Sequence, residues 1–130
     1  MRLLCKALII VLAGLLFVLA HEGGHYMAAA SFGLNPRLTF DDSANGIFGM
    51  SIGVTHAPTT VMQDYIIVMA AFVFPLFCAL YFATLNTWGN NETLWLLSAV
   101  FVVMIIATLI PFPGIQQLDS NRIFHALFGL

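Results

Sequence analysis

The stretch "VLAHEGGHYMAAASFG", residues 18–33, carries two histidines and a glutamate in an otherwise apolar run. His21 and His25 are four residues apart. On a helix that spacing puts both imidazoles on one face, one turn apart. Two nitrogens so placed can point at one ion. Glu22 follows His21 directly and faces a neighbouring direction, beside the ion rather than on it. This is the donor pattern of a zinc hydrolase: two imidazoles for the metal and a carboxylate for the attacking water. The chemistry implied is hydrolysis, with Glu22 as general base taking the water's proton and passing it to the leaving amine.

With four His and two Glu in 130 residues, HExxH arises by chance in roughly two of a thousand such sequences, a low false-positive rate. The setting sharpens the signal. An ionisable group in a transmembrane segment costs at least about 2.5 kcal/mol and marks a functional site by default. The competing reading is structural: the histidines hydrogen-bond across helices and Glu22 pairs with Arg37 or Arg122. Gly23 and Gly24 each weaken a helix by about 1 kcal/mol. Close approach of a neighbouring helix, or of a substrate, is the expected compensation.

Zinc usually takes a third protein ligand and leaves the fourth position to water. The candidates are His56, His125, Asp41, Asp42, Asp64 and Asp119. Asp119 follows "IPFPG", a proline-glycine break in an apolar run, and irregular backbone at membrane depth is tolerated where it lines a cavity. Asp119 is therefore expected to complete a site for one Zn2+ ion with His21 and His25. Asp64, near the start of the second span, is its rival, and an N-cap for the segment after it is the alternative role for Asp119. Asp41 and Asp42 read as a solvated hairpin tip. His56 and His125 read as loop or interface residues.

The elements that must position these residues follow from composition. The chain is 61% hydrophobic and only 8% charged, whereas a soluble domain has about a quarter of its residues charged. Three apolar blocks, about Leu3 to Ala30, Val61 to Leu85 and Thr93 to Ile110, each supply the roughly 20 residues a bilayer-spanning helix needs. Between the first two, Arg37 to Phe40 and Ile47 to Thr55 have the composition of a short hairpin. "NTWGNNET", residues 86–93, reads as a polar turn, flanked by Trp88 and Trp95 as interface anchors. The third span is expected to break at Pro111 and Pro113. The expected architecture is thus an α-helical membrane protein. It has three transmembrane helices, a short β-like insert between the first and second, and a broken third span, all in one domain over residues 1–130. Localisation is integral membrane and multi-pass. Lys and Arg divide evenly between the two sides, so the positive-inside rule gives no orientation. A net charge of −2 without a basic stripe argues against a nucleic-acid partner. "MRLLCK" followed by "ALIIVLAGLLFVLA" also fits a signal peptide cut before His21. The apolar run continuing through "YMAAASFG" favours a retained helix.

These residues together resemble the site-2 protease family of intramembrane zinc metalloproteases. "HEGGHYMAAASFGL" looks like that family's HExxH helix. "TLIPFPGIQQLDSNRIF" looks like its Asn-x-x-Pro segment leading to Leu-Asp-Gly. "AAFVFPLFCALYF", residues 70–82, echoes the small-residue and proline segment between them. The resemblance implies His21, His25 and Asp119 as zinc ligands and Glu22 as general base. It also implies a membrane protein substrate, unwound locally and held against the β-like insert by strand addition, with a regulatory membrane partner as a further expectation. Thr108 stands where the family has Asn, and Ser120 where it has Gly. A lost donor at the first of these can cost about 10² to 10³ in rate. The alternatives are a catalytically weak relative that binds or regulates a membrane partner, and a small structural membrane protein.

Overall fold

A computed structural model describes residues 2–41 and 51–110. The element order is α1 (Leu3–Ser31), β1 (Arg37–Asp41), β2 (Ser51–Thr55), α2 (Val61–Gly89) and α3 (Glu92–Leu109). All three helices are long and apolar enough to cross a membrane. At about 1.5 Å per residue, α1 and α2 are each about 43 Å long and α3 about 27 Å, against a hydrocarbon core of about 30 Å. Leucines and other large apolar side chains stand exposed along them, among them Leu15, Leu19, Phe77 and Val103. In water such a surface would be untenable; in lipid it is the solvated face.

The helices meet through small residues. Ala13, Phe17, Ala20, Gly24 and Ala29 form the buried stripe of α1, at helical spacing. Ala71, Pro75 and Ala79 lie buried on α2. Lipid tails are as apolar as leucine, so helices associate in a membrane by close packing rather than by the hydrophobic effect. Phe17, Ala20, Ala79 and Phe101 make the core cluster, where all three helices meet. The Phe101 ring stands edge-on to both Phe17 and Phe82 at centroid separations of 5.7 and 5.6 Å. Ser98 donates its hydroxyl proton to the carbonyl of Ala79 at 3.1 Å, joining α3 to α2. Near the helix starts, Lys6 of α1 pairs with Glu92 of α3. α1 and α3 are therefore parallel, and α2 runs against both.

β1 and β2 pair antiparallel, with Leu38 opposite Val54 and Phe40 opposite Ile52. The ribbon is tied to the end of α1 where the Ala57 amide donates to the carbonyl of Leu34 at 3.0 Å. Leu34 itself follows Gly33, which ends α1 with a positive φ of 70°.

Three details differ from the sequence reading. Asp41 is the last residue of β1, opposite Ser51, rather than part of a hairpin tip. β2 begins at Ser51; residues 47–50, given to that strand from the sequence, lie outside the described residues, as does Asp42. Finally, α2 does not stop near Leu85 but continues to Gly89. Its polar last turns satisfy themselves: Thr84 and Thr87 donate to the carbonyls of Leu80 and Thr84. The turn to α3 is only Asn90, in the left-handed region, and Asn91, whose side chain caps α3 through the Thr93 amide. The expected break at Pro111 and Pro113 lies outside the described residues. The helix ends at Leu109 and Ile110 is extended, the conformation that the residue before a proline prefers.

Candidate metal centre

The HEGGH stretch is continuous α-helix, in the last third of α1. Glu22 is nine residues from Ser31, about 13 Å along the axis at the usual rise. One ligand atom each from His21, Glu22 and His25 lie within 4.8 Å of one another, a group that can hold a metal ion. Two ligands in tetrahedral positions on one zinc-sized ion sit roughly 3.3 Å apart, from metal–nitrogen distances near 2.0–2.1 Å. The three groups are close enough for side-chain rotation to bring them onto a common point.

The two imidazoles differ in surroundings. His25 is the one buried polar residue among the described residues, 9% exposed. Its Nδ1 donates to the backbone carbonyl of Ile67 on α2 at 3.0 Å. With the proton on Nδ1, the Nε2 atom carries the lone pair, the form a metal ligand requires. A ring nitrogen bonded to a backbone carbonyl is the usual outer support of a metal-binding histidine. His21 is partly exposed and sits among aromatic rings. Phe17 stacks near it at 5.8 Å, and Phe72 of α2 and His25 stand edge-on at 5.3 and 5.1 Å. Glu22 is partly exposed.

The paired glycines divide the expected compensation. A Cβ on Gly24 would come within 2.5 Å of the Ala70 carbonyl oxygen and 2.8 Å of the Ala71 Cα, all backbone of α2. A Cβ on Gly23 would meet nothing within 4 Å. Only Gly24 is needed for helix contact. Pro75 is buried in α2 and offers no N–H to the Ala71 carbonyl; the helix continues through it, one turn from this crossing.

The other sequence candidates fall into two groups. Asp119, Asp42 and His125 lie outside the described residues. Among the described residues, neither Asp64 nor His56 joins the His21–Glu22–His25 group. Asp64 occupies the first turn of α2, where a carboxylate is favoured by the helix dipole. This turn is also closed by a capping box between Thr60 and Gln63. The Nδ1 of His56 bonds the carbonyl of Ala57 at 2.8 Å, beside the ribbon. There a shallow, open pocket is lined by Leu34, Asn35, Arg37 and Thr55. Thr108 turns its hydroxyl back to the carbonyls of Met104 and Ile105, both at 2.9 Å, within α3. What the sequence reading missed is the carbonyl of Ile67. No side chain signals a backbone acceptor 42 residues away in the sequence. Set against family models, curated proteins and solved structures, the chain matches none.

Proposed function

We propose that this chain is a multi-pass intramembrane zinc metalloprotease, of the kind the site-2 protease resemblance implies. It hydrolyses peptide bonds in or near transmembrane segments of membrane protein substrates. The observation that carries this reading is the clustering of His21, Glu22 and His25 on one turn of a helix long enough to cross the bilayer. Desolvating three such groups for packing alone would be costly. The donor set fits zinc: two imidazole nitrogens, one of them oriented from behind by the Ile67 carbonyl, with Asp119 proposed as the third ligand.

Zinc supplies Lewis acidity, lowering the pKa of a water and polarising the scissile carbonyl. The chain's residues do the rest. Glu22 accepts the proton of the attacking water as oxygen bonds to the carbonyl carbon. It returns that proton to the amide nitrogen as the C–N bond breaks. His25 keeps its Nδ1 proton on Ile67 throughout. The outer edges of the β1–β2 ribbon offer backbone donors and acceptors to an extended substrate, which must unwind locally because helical hydrogen bonds shield its peptide bonds.

Glu22→Gln tests the assignment. It preserves size and polarity but cannot take the proton. In purified protein zinc content should be unchanged, while cleavage of a transmembrane test substrate falls by about 10² to 10⁴, the usual range for acid–base catalysis. Equal cleavage by both proteins would sink the reading. One observation favours a second: Thr108 spends its hydroxyl within α3 and lends no donor to a substrate. A catalytically weak relative would bind zinc yet show no cleavage even as wild type.

A further inference from the structure

We infer that Gly24 is a positioning residue for the metal centre. By letting α2 press its backbone against α1, it holds the Ile67 carbonyl where it fixes the proton of His25 on Nδ1. This inference rests on the proposed metal site and goes on to name what sets one ligand's tautomer.

Three observations converge. The His25–Ile67 bond is buried and 3.0 Å long, and it links α1 to α2 directly. Gly24 adjoins His25 and touches the α2 backbone at Ala70 and Ala71, one helical turn beyond Ile67. The atoms a Cβ would strike are a carbonyl oxygen, a carbonyl carbon and a Cα, none of which can rotate away. A methyl at residue 24 therefore has to move α2 as a body or tilt it. Either motion lengthens the neighbouring His25–Ile67 bond, because the carbonyl is fixed in the same rigid helix. A ring nitrogen freed from its carbonyl loses the bias toward Nδ1–H. The lone pair is then no longer held on Nε2. Loss of such an outer support costs about 10- to 100-fold in metal affinity. Gly23 supplies the matched control, since it has the same residue type on the same helix with open space around it.

The test has two arms in detergent-solubilised full-length protein. In metal-free wild type, long-range proton–nitrogen correlation spectra of the histidine rings should place the His25 proton on Nδ1. A proton on Nε2 would overturn the inference whether or not the protein binds metal. In the second arm, Zn2+ affinity is measured for wild type, Gly23→Ala and Gly24→Ala, with helix content checked by circular dichroism. Gly24→Ala should bind zinc about 10- to 100-fold more weakly and show a shifted or mixed His25 tautomer, while Gly23→Ala matches wild type in both. Wild-type affinity in a folded Gly24→Ala would overturn it. Should Gly24→Ala lose its helix content, residue 24 is a folding requirement rather than a positioning residue, and the inference fails. A wild type that binds no zinc defeats the metal reading and with it a role for Gly24 at a metal centre, whereas a zinc-binding wild type matched in affinity and tautomer by a folded Gly24→Ala defeats this inference alone.

Discussion

The described part of the candidate centre holds one carboxylate, that of Glu22. His21 and His25 give two nitrogens, and Glu22 lies within the same 4.8 Å group, but a glutamate that takes a proton is better left off the ion. Asp64 was the nearest rival to Asp119 by sequence, being the acidic residue that opens the second span. Its position in the first turn of α2 gives it a local reason to exist, favourable interaction with the helix N-terminus. It stays outside the His21–Glu22–His25 group although Ile67, one turn further on, touches His25. Asp119→Ala is therefore expected to lose zinc while keeping its helix content, and Asp64→Ala to keep both. Metal analysis of the two purified variants checks this. Zinc lost from Asp64→Ala and retained by Asp119→Ala would move the third ligand to α2. The histidines and the glutamate are legible in the sequence because i, i+4 spacing fixes a shared helical face whatever the surroundings. The inequality of the two glycines is not, because it depends on which side of α1 the second helix passes.

At the scale of elements, apolar length alone makes the spans legible, and the ribbon follows from a run of β-formers that no helix pattern fits. The end of α2 is not legible, because Asn, Thr and Gly signal a turn only when the backbone needs their side chains. Here the threonines bond back into the helix, and the turn narrows to two asparagines. What holds α3 against the others is also hidden from sequence. Beside the exposed Lys6–Glu92 pair, two contacts inside the bundle compete for that role: the Ser98 hydroxyl on the Ala79 carbonyl and the Phe101 ring between Phe17 and Phe82. Interhelical hydrogen bonds in membranes average only about 0.6 kcal/mol. Phe101 is 2% exposed and reaches both other helices through the core cluster. Truncating a buried Phe to Ala costs about 3–5 kcal/mol in soluble cores, part of it the lost packing that also operates in lipid. Phe101→Ala should thus destabilise the protein several-fold more than Ser98→Ala, as read from reversible unfolding in mixed micelles. The reverse order would make the polar contact the dominant link.

The whole molecule has two ends, and its contacts determine which residues share each. Lys6 meets Glu92, so the start of α1 and the start of α3 lie together. Asn90 and Asn91 form the turn between α2 and α3 and belong to that same end. The ribbon, Leu34 and Ala57 form the other end. The candidate metal centre is displaced toward the ribbon, about 13 Å from the end of α1 by helical rise. The ribbon side is therefore the short route to these three side chains, and the long apolar stretch of α1 before Ala20 separates them from the opposite side. Charge does not orient the chain, since Lys and Arg are evenly divided, but contact geometry still fixes relative sidedness. Cys5 is exposed near the start of α1, whereas Cys78 lies within α2. In sealed vesicles a membrane-impermeant thiol reagent should label Cys5 together with a cysteine introduced as Asn90→Cys in a Cys5→Ser background. It should label Thr55→Cys, in the same background, only from the other face. Cys78 should resist the reagent from either side until detergent is added. Labelling of positions 5 and 55 from one face would break the three-span arrangement. Position 90 labelled from the face opposite Cys5 would break the parallel pairing of α1 and α3. With both arms as expected, the face that carries Thr55 is the one nearer to His21, Glu22 and His25; if the proposed proteolysis holds, thiol modification at residue 55 should slow cleavage of a test substrate more than modification at residue 90.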